Sequence, residues 1–139
     1  MDRIVLDTNC LIASLSRRGK YYDIWKGLQD GKYILCVSSE ILYEYQEIIT
    51  QKTNAYIADN VIQYLLNSKF VLLKEPSFRM GLIDEDKDDN KFVDCAIISE
   101  AIFIVSNDKH YNVLQMIAFP KVEVVDIEHF LAFLRNIEK

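Results

Sequence analysis

Short continuous apolar runs alternate along the chain with longer stretches whose apolar residues recur every three or four positions. The runs are Ile4-Val5-Leu6, Tyr33 to Val37, Phe70 to Leu73, Ile102 to Val105 and Val122 to Val125. They are rich in valine and isoleucine and carry no polar alternation, which suits strands covered on both faces. Turn and stop signals bound them: Asp30-Gly31-Lys32 before the second, Pro76 after the third and Pro120 before the fifth. Between them lie helical patterns at Tyr22 to Leu28, Ser39 to Ile49, Tyr56 to Leu66 and Phe130 to Leu134. A further helix starts at Phe92 and passes into the fourth strand by Phe103. The stretch from Ser39 carries Ile41, Leu42, Tyr45, Ile48 and Ile49 on one stripe behind an N-terminal serine. Strands alternating with helices predict a parallel α/β sandwich, whose active site lies beyond the carboxyl ends of the strands.

The chain has 139 residues with four glycines and two prolines, and it shows no repeat, low-complexity tract or linker. One domain spanning residues 1–139 with short loops is expected. Half the residues are hydrophobic and 27% are charged, which excludes a mainly disordered chain. No apolar run reaches the roughly 18 residues of a membrane span, and the start lacks the pattern of a secretory signal. Cys10, Cys36 and Cys95 are scattered and odd in number, which points to a reducing, cytoplasmic setting and away from a disulfide framework or a cysteine-rich zinc site. With only His110 and His129 as imidazoles, a bound metal would be held by oxygen and be hard. The net charge of −5 argues weakly against nucleic acid as a partner. Acids gathered around a cation would leave the remaining surface closer to neutral, so the sign of the total does not decide the question.

The placement of the acids is more informative. Asp7 ends the first apolar run and Asp108 follows the fourth. One such carboxylate is commonly a helix cap; two on strands that can be neighbours favour a functional role. In the helix from Ser39, Glu44 falls about 100° from the centre of the apolar stripe, whereas Glu40 and Glu47 fall about 140° and 160° away. Glu44 is therefore the acid nearest the interior, and the other two are expected in solvent. The run Asp84-Glu85-Asp86-Lys87-Asp88-Asp89-Asn90 is the densest acidic stretch, and a charged loop before a helix is usually solvated. Behind it, Asp94 sits among Phe92, Val93, Cys95, Ala96, Ile97 and Ile98, in a helix apolar nearly all round. A buried carboxylate requires a partner, a hydrogen bond or a metal. Asp7, Glu44, Asp89 or Asp94, and Asp108 thus form a candidate cluster that a divalent cation would make tolerable. Such a cation activates water and steadies charge building on a phosphodiester.

Four segments, in order, resemble a known family. They are Ile4-Val5-Leu6-Asp7-Thr8-Asn9, Ser38-Ser39-Glu40-Ile41-Leu42-Tyr43-Glu44-Tyr45, Asp86-Lys87-Asp88-Asp89-Asn90-Lys91-Phe92-Val93-Asp94-Cys95-Ala96 and Ile104-Val105-Ser106-Asn107-Asp108-Lys109-His110. The strand-ending D-T-N, the S-x-E-I-L-x-E-Y helix, the D-x-D-D-N-K-F-x-[DE]-x-A segment and the I-V-[ST]-x-D-K-x strand end resemble those of PIN domains, small metal-dependent ribonucleases. The match is closest to the branch of toxin components of toxin–antitoxin pairs. The resemblance implies a three-layer α/β/α sandwich with a central parallel sheet of about five strands. It implies a metal-dependent endoribonuclease that cleaves single-stranded RNA with Mg2+ or Mn2+. By position it puts the family's acids on Asp7, Glu44 and Asp108. The family's spacing to a hydrophobic residue and an alanine favours Asp89 as the third metal-binding acid, with Asp94 still open. Thr8, Asn9, Ser106 and Asn107 become candidate positioning groups; Asn107 stands where glycine is common.

RNA would need cationic contacts despite the acidic total, and Arg17, Arg18, Lys20, Lys91, Lys109 and His110 are the candidates. Eight tyrosines, seven phenylalanines and one tryptophan exceed what one small core accommodates. An apolar helical surface for an antitoxin protein or for a homodimer is expected. A phosphoacceptor domain would want paired acids after the first strand, and a phosphatase of the haloacid type would want a second acid at Asn9. A catalytically silent PIN-like binding module would have no need of the buried acids.

Overall fold

The strands are β1 (Arg3–Leu6), β2 (Ile34–Val37), β3 (Val71–Leu73), β4 (Phe103–Val105) and β5 (Val124–Val125). The helices are α1 (Thr8–Ala13), α2 (Tyr22–Gln29), α3 (Ser39–Lys52), α4 (Ala55–Asn67), α5 (Asn90–Ser99) and α6 (Ile127–Ile137). A computed structural model describes residues 1–77, 81, 83, 89–117 and 120–137, with the side chain of Met116 left aside. The acidic run 84–88 lies outside the described residues.

The strands form one parallel sheet in the order β3-β2-β1-β4-β5. This is the expected α/β/α sandwich around a five-stranded parallel sheet. Ile4, Val5 and Leu6 of the central strand are all fully buried, as a strand covered on both faces requires. Helix α5 packs along β1, β2 and β4, and α2 packs on α6. At the core beneath α6, the Phe130 ring meets Tyr33 edge-on at 5.2 Å and Phe103 at 5.8 Å.

Local chemistry sets the element ends. Ser38 Oγ accepts from the Ile41 N–H at the start of α3, and Asn54 Oδ1 accepts from the Ile57 N–H at the start of α4. Gly31 turns the chain from α2 into β2 at φ +75°, where a Cβ would stand 2.6 Å from the Phe70 ring, so only glycine fits. The Tyr45 hydroxyl donates to the Leu6 carbonyl at 2.6 Å, tying α3 to the end of β1.

Two elements are absent from the hydrophobic pattern. Helix α1 has six residues, fewer than a periodic stripe needs to be visible, and Lys109–Met116 is a 3-10 helix rather than loop. Each begins directly after an acid that caps it, Asp7 for the first and Asp108 for the second.

The order of the strands places the site. From β1 the chain crosses to β2 on one side, and from β4 it crosses to β5 on the other. Connections that diverge from two adjacent parallel strands open a crevice at their carboxyl ends. Asp7 and Asp108 emerge there.

Candidate metal centre

The Asp7 N–H donates to the Val105 carbonyl at 3.0 Å, which extends the β1–β4 pairing by one step and sets Asp7 beside Ser106. Asp7 is also the N-cap of α1, accepting from the Asn9 N–H at 3.4 Å. Ser106 Oγ donates to Asp7 Oδ2 at 2.6 Å and accepts from the Asp108 N–H at 3.0 Å. Asp108 in turn caps the 3-10 helix through the His110 N–H at 2.9 Å. Asp89 stands at the N-cap position of α5 and is buried. The His110 Nδ1 lies 3.3 Å from Asp108 Oδ1 and 3.5 Å from Asp89 Oδ2. One donor atom from each of Asp89, Asp108 and His110 lies within 4.8 Å of the others.

Glu44 enters from α3. Its Oε1 pairs with Lys91 Nζ at 2.6 Å, and its Oε2 accepts from the Thr8 hydroxyl. Glu44 is half-buried while Glu40 and Glu47 are exposed, the order that the helical phase predicts. The buried Tyr111 hydroxyl marks where the acids converge. Burial pushes it up most, and the charges of Asp7, Asp89, Asp108 and Glu44 push it further. Asp94 is buried in α5 and is not among those charges.

Burial likewise holds the Asp7 carboxyl above its ordinary value. The nearby charges of Glu44 and Asp108 add to the rise, against the hydrogen bonds from Ser106 and Asn9 that lower it. A carboxylate pressed this way by its neighbours is relieved by a cation. The donor set of oxygens with one imidazole suits a hard or borderline divalent ion, so the residues present fit a metal. Beside them, a cleft of about 300 Å³ is lined by Asp7, Asn9, Tyr21, Asn107, Asp108 and Ile127.

The remaining sequence candidates divide. Arg17, Arg18 and Lys109 are exposed, and the exposed Lys20 pairs with Glu128 at 2.6 Å. Lys91, expected on the open rim, turns inward to Glu44 with its side chain only 13% exposed, because the half-buried carboxylate demands a counter-charge. His110, expected as an RNA contact, stands inside the acid cluster. Asn107 Oδ1 accepts from the Ile127 N–H at 3.1 Å, so this side chain holds the start of α6. Asn9 Oδ1 accepts from Lys52 Nζ at 3.0 Å, a contact that no local pattern announces.

A parallel α/β sandwich with acids gathered beyond the ends of the adjacent strands β1 and β4 defines the class, a nuclease fold of the PIN type. The sequence profile described as PIN domain matches residues 3–110. The chain belongs to the PIN domain family. Solved structures similar in fold are VapBC2 from Rickettsia felis bound to a DNA fragment from its promoter and VapC20 of Mycobacterium tuberculosis, described as a Sarcin-Ricin loop cleaving toxin. The first is 17% identical, with 89% of this chain and 98% of that chain covered and a TM-score of 0.59. The second is 11% identical over 86% and 98%, also at 0.59. The PIN domain endonuclease Utp24 is 16% identical over 89% and 84%, with a TM-score of 0.51. No curated protein matches the chain in sequence.

Proposed function

We propose that this chain is a metal-dependent endoribonuclease that hydrolyses single-stranded RNA, and that it is the toxin of a cytoplasmic toxin–antitoxin pair. The observation that carries the reading is the gathering of Asp89, Asp108 and His110 within 4.8 Å, with Asp7 joined to Asp108 through Ser106, at the carboxyl ends of β1 and β4. Asp7, Asp89 and Asp108 hold Mg2+ or Mn2+, with the His110 Nδ1 as a further donor. When bound, the ion supplies Lewis acidity for water activation and for the charge building on the phosphodiester. Glu44 orients the attacking water or takes its proton, and a carboxylate with two donors already in place retains lone pairs for that purpose. Thr8 holds Glu44, and Ser106 holds Asp7. Arg17, Arg18, Lys20 and Lys109 are the cationic side chains for RNA phosphates.

The fold shared with a toxin that cleaves the Sarcin-Ricin loop supports RNA as substrate, and the fold shared with VapBC2 supports a protein partner. Tyr43 on α3 and Tyr56 on α4 are 79% and 76% exposed and offer such a partner, or a second copy, an aromatic surface. Among the described residues no helix is long and apolar enough to cross a membrane.

The test is hydrolysis of a single-stranded RNA in Mn2+, expected to stop in excess EDTA and to return when Mn2+ is added back. Full activity in EDTA would discard the mechanism. The third acid is decided by isothermal titration with Mn2+. Asp89→Asn should weaken binding tenfold or more and Asp94→Asn less than threefold; the reverse order would make Asp94 the ligand.

A further inference from the structure

Asp89 and Asp108 lie within 4.8 Å of each other, the charges of Glu44 and Asp108 act on Asp7, and a single divalent ion offsets only part of this negative charge. The rest requires a second metal or a basic side chain, and the second is present. Lys91 Nζ sits 2.6 Å from Glu44 Oε1, with the two side chains 13% and 23% exposed. The ammonium also lies 5.7 Å from the centre of the Phe92 ring, a second contact that holds it in place. The other oxygen of Glu44 accepts from Thr8. Both oxygens of Glu44 therefore carry a direct donor. A metal ion approaching this carboxylate would meet the repulsion of an ammonium already 2.6 Å from Oε1, whereas a neutral water at a remaining lone pair would not. Lys91 stands two residues beyond Asp89, so the start of α5 delivers a metal donor and a counter-cation together.

We infer that Lys91 is a built-in second cation: it holds Glu44 out of the coordination sphere and confines the centre to one divalent ion per chain. The inference rests on the metal-dependent reading above. Lys91 is a positioning residue, acting through Glu44, to which its ammonium is committed at 2.6 Å.

Mn2+ titration of the full chain, by calorimetry and by electron paramagnetic resonance of free Mn2+, tests it without reference to activity. The unaltered protein should bind one equivalent. Lys91→Met keeps the apolar stem, removes the charge and should open a second equivalent; Lys91→Arg should restore one. Two equivalents in the unaltered protein, or one in a folded Lys91→Met, overturn the inference and leave the nuclease reading standing. No Mn2+ binding at all overturns both. If Lys91→Met does not fold, Glu44→Gln with Lys91→Met removes the pair as a neutral unit. That variant should bind one equivalent within about threefold of the original affinity. A tenfold loss would make Glu44 a ligand and overturn the inference.

Discussion

Asp7→Asn is expected to cut RNA hydrolysis steeply and, in the metal-free protein, to raise the melting temperature. The two effects share a cause. Burial, then Glu44 and Asp108, hold the Asp7 carboxyl above its ordinary value of 3.8, so its ionised form is disfavoured in the fold. For an acid raised on folding, the stabilising contribution is full below the unfolded value and is lost as pH rises through the folded value. Above the folded value the metal-free chain bears the whole cost of that buried charge. Asparagine carries no charge, caps a helix as well as aspartate and still accepts from the Asn9 N–H. A gain on the order of 1 kcal/mol, or about 3 to 5 °C, should follow in EDTA. Mn2+ should stabilise the unaltered protein by mass action and leave the variant unmoved. Turnover should fall about 10³-fold, equivalent to about 4 kcal/mol of barrier, while RNA affinity changes little. Calorimetric scans with and without Mn2+ read the first effect, and single-turnover cleavage reads the second. A lower melting temperature in EDTA would show that the hydrogen bond from Ser106 outweighs the buried charge.

Phe130→Ala should be the most damaging change to the fold. The ring is fully buried and packs against Tyr33, Phe103 and Phe133, at 5.2, 5.8 and 6.2 Å between centroids. Truncating a buried phenylalanine costs about 3–5 kcal/mol, a large share of the roughly 5–15 kcal/mol that holds a domain together. Thermal unfolding should begin at least 10 °C lower, by the usual entropy of a domain this size. The loss should reach the centre as well. Asn107, next to Asp108, holds the first turn of α6 through the Ile127 N–H, so a loosened α6 frees the Asp108 loop. Chemical denaturation of the variant measures the cost, and a change under 1 kcal/mol would mean that α6 is not docked as described.

The strands and the long helices were legible because their causes are local. A continuous run such as Ile4-Val5-Leu6 needs both faces covered, and a stripe such as Ile41, Tyr45 and Ile49 needs one face buried; both conditions act within a few residues. The helical phase that singled out Glu44 over Glu40 and Glu47 is equally local, and the structure leaves the latter two in solvent. The short helix α1 was not legible, since six residues carry no readable period and its start depends on a cap by Asp7.

Partnership across the chain was decided only by tertiary structure. Ser106 and Asp7 are separated by 99 positions, and Lys91 and Glu44 by 47, yet each pair is in contact at 2.6 Å. The sequence therefore marked Lys91 and His110 as basic residues near acids and could not show that both face inward. The family's spacing favoured Asp89 and left Asp94 open; in the fold Asp89 lies at the start of α5, where its carboxylate groups with Asp108 and His110. Local pattern determined which elements form and which acids end them. The crossovers that set β4 beside β1 determined which side chains meet, because a contact between distant segments depends on the path of the whole chain.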